Sequence, residues 1–207
     1  MGKLFDIDGP VVTAVMYLTR LVYLNLLTIL FSLPVVTAGA SLAALSCLLM
    51  EMAEDRGGAV AQAFWKRFRQ NLRNATPIWL IIAAVAALLY ADYRILCTGE
   101  TGLSRFWLVP AAGAGILLIA IYVYVFPLTA KFENTTAATF RNAAVLAAVH
   151  LPRTLVMIAI TVFVPFLLLG VTSLIPLFFL VGISLPAYLR TLLYLPVIKK
   201  IAGEGRA

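Results

Sequence analysis

Six apolar segments, each near the length that carries a helix across a bilayer, take up most of this 207-residue chain. They run from Pro10 to Leu33, Val35 to Met52, Thr76 to Leu96, Phe106 to Ala130, Leu151 to Thr172 and Ile175 to Ile198. An α-helix rises 1.5 Å per residue, so about 20 residues cover the ~30 Å hydrocarbon layer. Between the segments no polar stretch is long enough for a soluble domain. Hydrophobic residues make up 63% of the chain and charged residues 12%, where soluble domains carry about 25% charged residues. With a mean hydropathy of +1.01, one core could not hide the apolar surface, and lipid must cover the outward faces. The expected fold is an all-α polytopic bundle of about six transmembrane helices, forming a single transmembrane domain over residues 1–207.

Charge fixes an expected orientation. Arg56, Lys66, Arg67, Arg69 and Arg73 lie between the second and third segments. Lys131 and Arg141 lie between the fourth and fifth, with Arg153 at the edge of that stretch, Lys199, Lys200 and Arg206 in the tail, and Lys3 at the start. Only Arg94 and Arg105 fall on the other side. Six alternating spans bring the basic stretches to one face, which the positive-inside bias makes cytoplasmic, with both termini there. The net charge of +7 is thereby explained without nucleic acid, which would need a basic stripe on a soluble fold.

Two stretches beside these spans read as helices lying on the membrane. In 60–73, Phe64, Phe68 and Leu72 recur every fourth residue, and Lys66, Arg67, Arg69, Gln70 and Arg73 occupy much of the rest. Aromatics at the acyl boundary and bases at the headgroups suit an interfacial amphipathic helix. Residues 135–149 form a less charged counterpart. Each stretch has a Phe-Arg pair (Phe68-Arg69, Phe140-Arg141), then an Asn (Asn71, Asn142), then a proline (Pro77, Pro152) expected to open a span. That order is compatible with an internal repeat.

Candidate functional residues are few. Arg20 and Arg190 fall inside apolar segments, where a charge is expensive and marks either a functional site or a side chain snorkelling to the headgroups. Asn25 is an amide within the first span, suited to bonding across helices. Pro34 breaks the chain between the first two segments, Thr37 is placed to cap the second helix, and Gly39 permits close helix packing. This stretch reads as a tight turn or as a broken helix facing a ligand, and the second segment as a short span or a re-entrant one. His150 and Arg153 stand at the entrance to the fifth span. Cys47 and Cys97 read as free thiols, and His150 has no second histidine with which to hold a metal. Phosphate loops, His-Glu-x-x-His and Gly-x-Ser-x-Gly motifs do not occur. No catalytic, cofactor or metal site is expected, and the chain does not read as an enzyme.

Several blocks resemble one family. Gly2-Lys3-Leu4-Phe5 with Asp8-Gly9-Pro10, Asn25-Leu26-Leu27, and Ser32-Leu33-Pro34-Val35-Val36-Thr37-Ala38-Gly39-Ala40 are similar to motifs of the YesL family, also called the DUF624 domain. So are Phe64 through Asn71 with Ala75-Thr76 and Trp79, then His150-Leu151-Pro152-Arg153-Thr154, Leu185-Pro186-Ala187-Tyr188 and the Pro196 to Lys200 ending. The resemblance implies a bacterial plasma-membrane protein whose relatives are often encoded beside carbohydrate ABC importers. It suggests an accessory or regulatory component that binds permease subunits in the bilayer, without establishing any residue-level site. A self-sufficient transporter or channel and a membrane sensor are the alternatives. Besides lipid and permease subunits, the small-residue faces also suit a second copy of the chain.

Overall fold

In the computed structural model, residues 10–56, 58–98 and 107–203 are described, and among them every regular element is helical. The helices are α1 (Pro10–Ser32), α2 (Ala38–Ala53), α3 (Val60–Thr98), α4 (Leu108–Lys131), α5 (Thr136–Val149), α6 (Leu151–Gly170), α7 (Ile175–Val181) and α8 (Ser184–Ile201). Short 3₁₀ turns, Val35–Thr37 and Thr172–Leu174, precede α2 and α7. The motif segments 2–9, together with Arg105 and Arg206, lie outside the described residues.

Five helical stretches are long and apolar enough to cross a membrane, and six when α7 and α8 count as one span bent by 57°. The outward faces are apolar along their length: Phe166 is 72% exposed on α6 and Val109 71% on α4. Only hydrocarbon makes such a surface favourable, so the protein is a membrane-embedded helical bundle.

α2 is the axis of the bundle. Its small residues Ala40, Ala43 and Ala44 are fully buried, letting neighbouring helices approach closely. One core joins α2 to Ile78 of α3, Tyr124 of α4, Ala143 of α5, Met157 of α6 and Tyr194 of α8. A second joins it to Leu21 and Leu24 of α1, Phe64 and Phe68 of α3 and Ala187 of α8.

Two elements depart from the sequence reading. Residues 60–73 are not a separate surface helix but the first part of α3, a continuous helix of 39 residues with Pro77 inside it. Pro77 therefore does not open a span, whereas Pro152 does open α6. Prolines are tolerated inside membrane helices because neighbours satisfy the freed backbone groups. The periodic face identified in the sequence rests on protein: Phe64 and Phe68 are buried, with ring centroids 5.7 Å and 4.9 Å from that of Phe31 on α1. The second departure is the sixth apolar segment, which breaks into α7 and α8, while the second forms one helix after a single 3₁₀ turn.

The α1–α2 turn stops short of the far end of the bundle. The indole Nε1 of Trp79 donates to the carbonyl of Val35 at 2.7 Å, which ties the turn to the level of Trp79. From there α3 continues to Thr98, roughly 28 Å at the helical rise. A cysteine at Leu33 is accordingly expected to react with an impermeant maleimide, added on the α3–α4 tip side, about tenfold or more slowly than one at Trp107, because hydrocarbon excludes a charged reagent. Equal labelling would place the turn at the far surface.

Candidate functional site

The broken helix is the most constrained polar site in the bundle. Where α7 stops and α8 starts, backbone donors and acceptors lose their helical partners in surroundings without water. Asn25 of α1, fully buried, supplies both kinds. Its Oδ1 accepts from the backbone N–H of Ile183 at 2.8 Å and of Ser184 at 2.9 Å. Its Nδ2 donates to the carbonyls of Phe179 at 2.7 Å and Phe178 at 3.4 Å. One amide thus caps both halves of the break. Gly182 makes the bend possible, since a Cβ there would lie 2.3 Å from the Phe178 ring.

The turn motif forms a second junction. A Cβ on Gly39 would sit 2.4 Å from Cβ of Trp79 and 2.5 Å from the carbonyl oxygen of Ala75, so α2 and α3 touch through bare backbone. Val35 and Gly39 from one block of the sequence and Ala75 and Trp79 from another thus belong to one contact. Pro34 lies exposed in the turn. Thr37 does not cap α2: with φ −89° and ψ −4° it is already helical, and its hydroxyl donates to the carbonyls of Phe31 and Pro34, each at 2.8 Å. It locks the turn from behind.

The remaining candidates separate. Arg20 lines a recess with Glu51 and Arg56 at the end of the bundle where the bases collect. One turn before it, the Tyr17 hydroxyl donates to Asp55 in the α2–α3 loop. Arg20 is therefore an end-of-bundle charge. Arg190 lies deeper, roughly 13 Å along α8 from Lys199 at the helical rise. Neutral groups receive it: Nη1 donates to Thr161 Oγ1 at 3.2 Å, Nε to the Pro186 carbonyl at 3.3 Å, and the guanidinium lies 5.7 Å from the Tyr122 ring centroid. A void of about 20 Å³ beside it is the size of one water. Asn71 donates to the Arg67 carbonyl at 2.8 Å, a bond within its own helix. His150 forms the joint between α5 and α6, with Arg153 exposed one turn on.

The ion pairs at the basic end are not legible in the sequence. Arg67 meets Glu51 at 2.5 Å, Lys199 meets Glu54 at 2.9 Å, and Arg56 also pairs with Glu54. Their partners come from α2, α3, α8 and the loop after α2, so no local spacing announces them. Among the described residues no cluster of three or more metal-ligating side chains occurs.

The outer halves of α3 and α4 form an apolar arm beyond the α1–α2 turn. Leu88, Tyr90 and Tyr93 are exposed on α3, and Val109, Ile116 and Leu117 on α4. A Cβ on Gly113 or Gly115 would meet nothing within 4 Å, in contrast to Gly39 and Gly182.

No solved structure matches the chain. It is 24% identical over 195 residues to "Uncharacterized protein YteU" of Bacillus subtilis (strain 168), covering 91% of this chain and 85% of the relative. The family model described as "Protein of unknown function, DUF624" matches residues 21–93, the stretch that holds Asn25, the Gly39 turn and most of the long helix α3. The chain is a membrane protein similar to the DUF624 family over residues 21–93.

Proposed function

We propose that this protein is an accessory or regulatory component of a bacterial carbohydrate ABC importer, bound to the permease subunits within the plasma membrane. Its basic end and both termini face the cytoplasm in this reading, following the positive-inside bias. The observation that carries it is the α3–α4 arm. Gly113 and Gly115 lower helix stability relative to alanine, yet a Cβ at either would meet nothing within 4 Å among the described residues, which is the pattern of a surface kept bare for another helix. The importer assignment itself rests on the resemblance to the YesL family.

The bundle interior favours a partner role over a conduit. Buried Thr28, Thr129 and Thr191 each donate to a carbonyl one turn back in their own helix. Asn25 is fully engaged at the break. A sugar path would need such groups free to exchange hydroxyl contacts. The break between α7 and α8 and the intramembrane Arg190 do favour a second reading, a self-sufficient transporter, because discontinuous helices frame many carrier sites. Solute flux in liposomes holding this protein alone tests that.

The partner reading is tested by tagging the C-terminus, solubilising native membranes gently and identifying co-purifying chains by mass spectrometry. Permease subunits are expected in stoichiometric amounts, and Gly113→Leu with Gly115→Leu should lower their recovery about tenfold or more, a loss of roughly 1.4 kcal/mol, with the thermal midpoint of the isolated protein kept. Recovery of the protein alone, in several mild detergents and after growth on inducing sugars, would sink the proposal.

A further inference from the structure

Arg190 stands near mid-depth in the spanning part of the bundle. Its partner Thr161 falls halfway along α6, which runs from Leu151 to Gly170. A charge at that depth is expensive unless another charge offsets it. Only neutral groups meet it: Thr161 Oγ1, the Pro186 carbonyl and the face of the Tyr122 ring. These orient the guanidinium and leave its unit charge in place. The carboxylates among the described residues are engaged or lie elsewhere. At the basic end Glu51 takes Arg67, Glu54 takes Lys199 and Arg56, and Asp55 takes Tyr17. Glu133 is exposed beyond the end of α4, and Asp92 is exposed on the outer half of α3.

Arg190 also lines the void of about 20 Å³ between α2, α4 and α8. That is room for one water, or for one monatomic ion of similar size. Leu42, Leu45, Val123 and Phe126 make much of the wall apolar, and attraction between opposite charges is strongest in such surroundings. The guanidinium has donors to spare. Its Nε proton goes to Pro186 and one Nη1 proton to Thr161. The second proton of Nη1 and both on Nη2 are uncommitted among the described residues. A bond from these to an anion is charge-assisted, the strong kind. We propose that Arg190 and this void form a binding site for a small monovalent anion of halide size, which offsets the guanidinium charge inside the membrane. The volume is too small for a tetrahedral oxyanion, and the apolar wall disfavours a second negative charge. The site does not depend on any partner at the α3–α4 arm.

The test is chloride binding to the full chain in a neutral detergent, read from the linewidth of the chloride NMR signal as chloride replaces gluconate at constant ionic strength. The protein is expected to broaden the line saturably. Its thermal midpoint should rise with it, by roughly 3–6 °C at about ten times the dissociation constant. Bromide should displace chloride and sulfate should not. Arg190→Gln should abolish the broadening. Arg69→Gln with Arg73→Gln, which removes two exposed bases on α3, should leave it unchanged. Ser46→Val keeps Arg190 but puts methyl groups at the wall of the void, and should weaken chloride binding about tenfold or more. A line that the protein does not broaden would mean that the void holds only water, and would overturn the proposal. Broadening that persists in Arg190→Gln, or that sulfate removes as readily as bromide, would place the chloride on surface charges and overturn it as well. If Arg190→Gln fails to fold, Ser46→Val decides, and undiminished chloride binding there overturns the proposal.

Discussion

Asn25→Leu is expected to lower the thermal midpoint of the detergent-solubilised protein by on the order of 10 °C. The substitution keeps roughly the volume of the side chain and removes only its polarity. Left behind are the N–H groups of Ile183 and Ser184 and the carbonyl of Phe179, all satisfied by that amide in the native bundle, while the Phe178 carbonyl keeps the N–H of Gly182 at 2.7 Å. Asn25 is fully buried, so water cannot take its place. Each buried backbone group left unmet costs about 1–3 kcal/mol. Side-chain bonds in membrane proteins average nearer 0.6 kcal/mol, because the unfolded chain in lipid finds other partners. A break between two helices has no such substitute unless α7 and α8 fuse, which the 57° bend opposes. A net loss of roughly 3 kcal/mol corresponds to the stated shift for a chain of this size. Thr28→Val is the control: it removes a single bond to the Leu24 carbonyl within α1, and its expected cost is about 1 kcal/mol or less. A shift for Asn25→Leu no larger than that of Thr28→Val would show that the amide does not hold the break.

The same amide shows where sequence reasoning reached and where it stopped. An Asn inside an apolar span announces a cross-helix bond, and that much was legible. Its partner is a break more than 150 residues away, in a run where Gly182 and Ser184 are the local signs and the residues between and around them are apolar. Periodicity marked Phe64, Phe68 and Leu72 as one face, but lipid and Phe31 are both apolar, so the pattern could not choose between bilayer and protein. Arg190 was legible as a charge within a span. Its accommodation by Thr161 and Tyr122 depends on helices that meet only in the fold. The ion pairs at the basic end were the least visible feature, because Glu51, Arg67 and Lys199 come from three separate helices and each looks like an ordinary charge at a helix end. Hydropathy reports which residues enter the membrane, and it carries little information on which helices face one another once inside.

Glycine-to-alanine exchange should move stability in opposite directions at two positions. At Gly39 the added methyl would stand 2.4 Å from the Trp79 Cβ and 2.5 Å from the Ala75 carbonyl oxygen, closer than real contacts allow. The obstacle is backbone and a Cβ, so no rotamer change removes it. α2 and α3 must separate, which strains the bond from Trp79 to the Val35 carbonyl and loosens both cores that share α2. Overpacking of this kind costs about 1–3 kcal/mol and more where backbone must move, so Gly39→Ala is expected to lower the midpoint by roughly 5–10 °C, and Gly39→Val to prevent stable folding. At Gly113 nothing lies within 4 Å of the new methyl. There Gly113→Ala gains only helix propensity, up to ~1 kcal/mol, and the midpoint should hold or rise slightly. Thermal unfolding of the two variants in one detergent is the measurement. Equal losses at both sites would mean that the outer arm is packed against something in the isolated protein, and equal tolerance would mean that α2 and α3 do not meet through Gly39. The expected contrast would separate a glycine that closes the bundle from one left open on its outer face, where a partner's helix could settle.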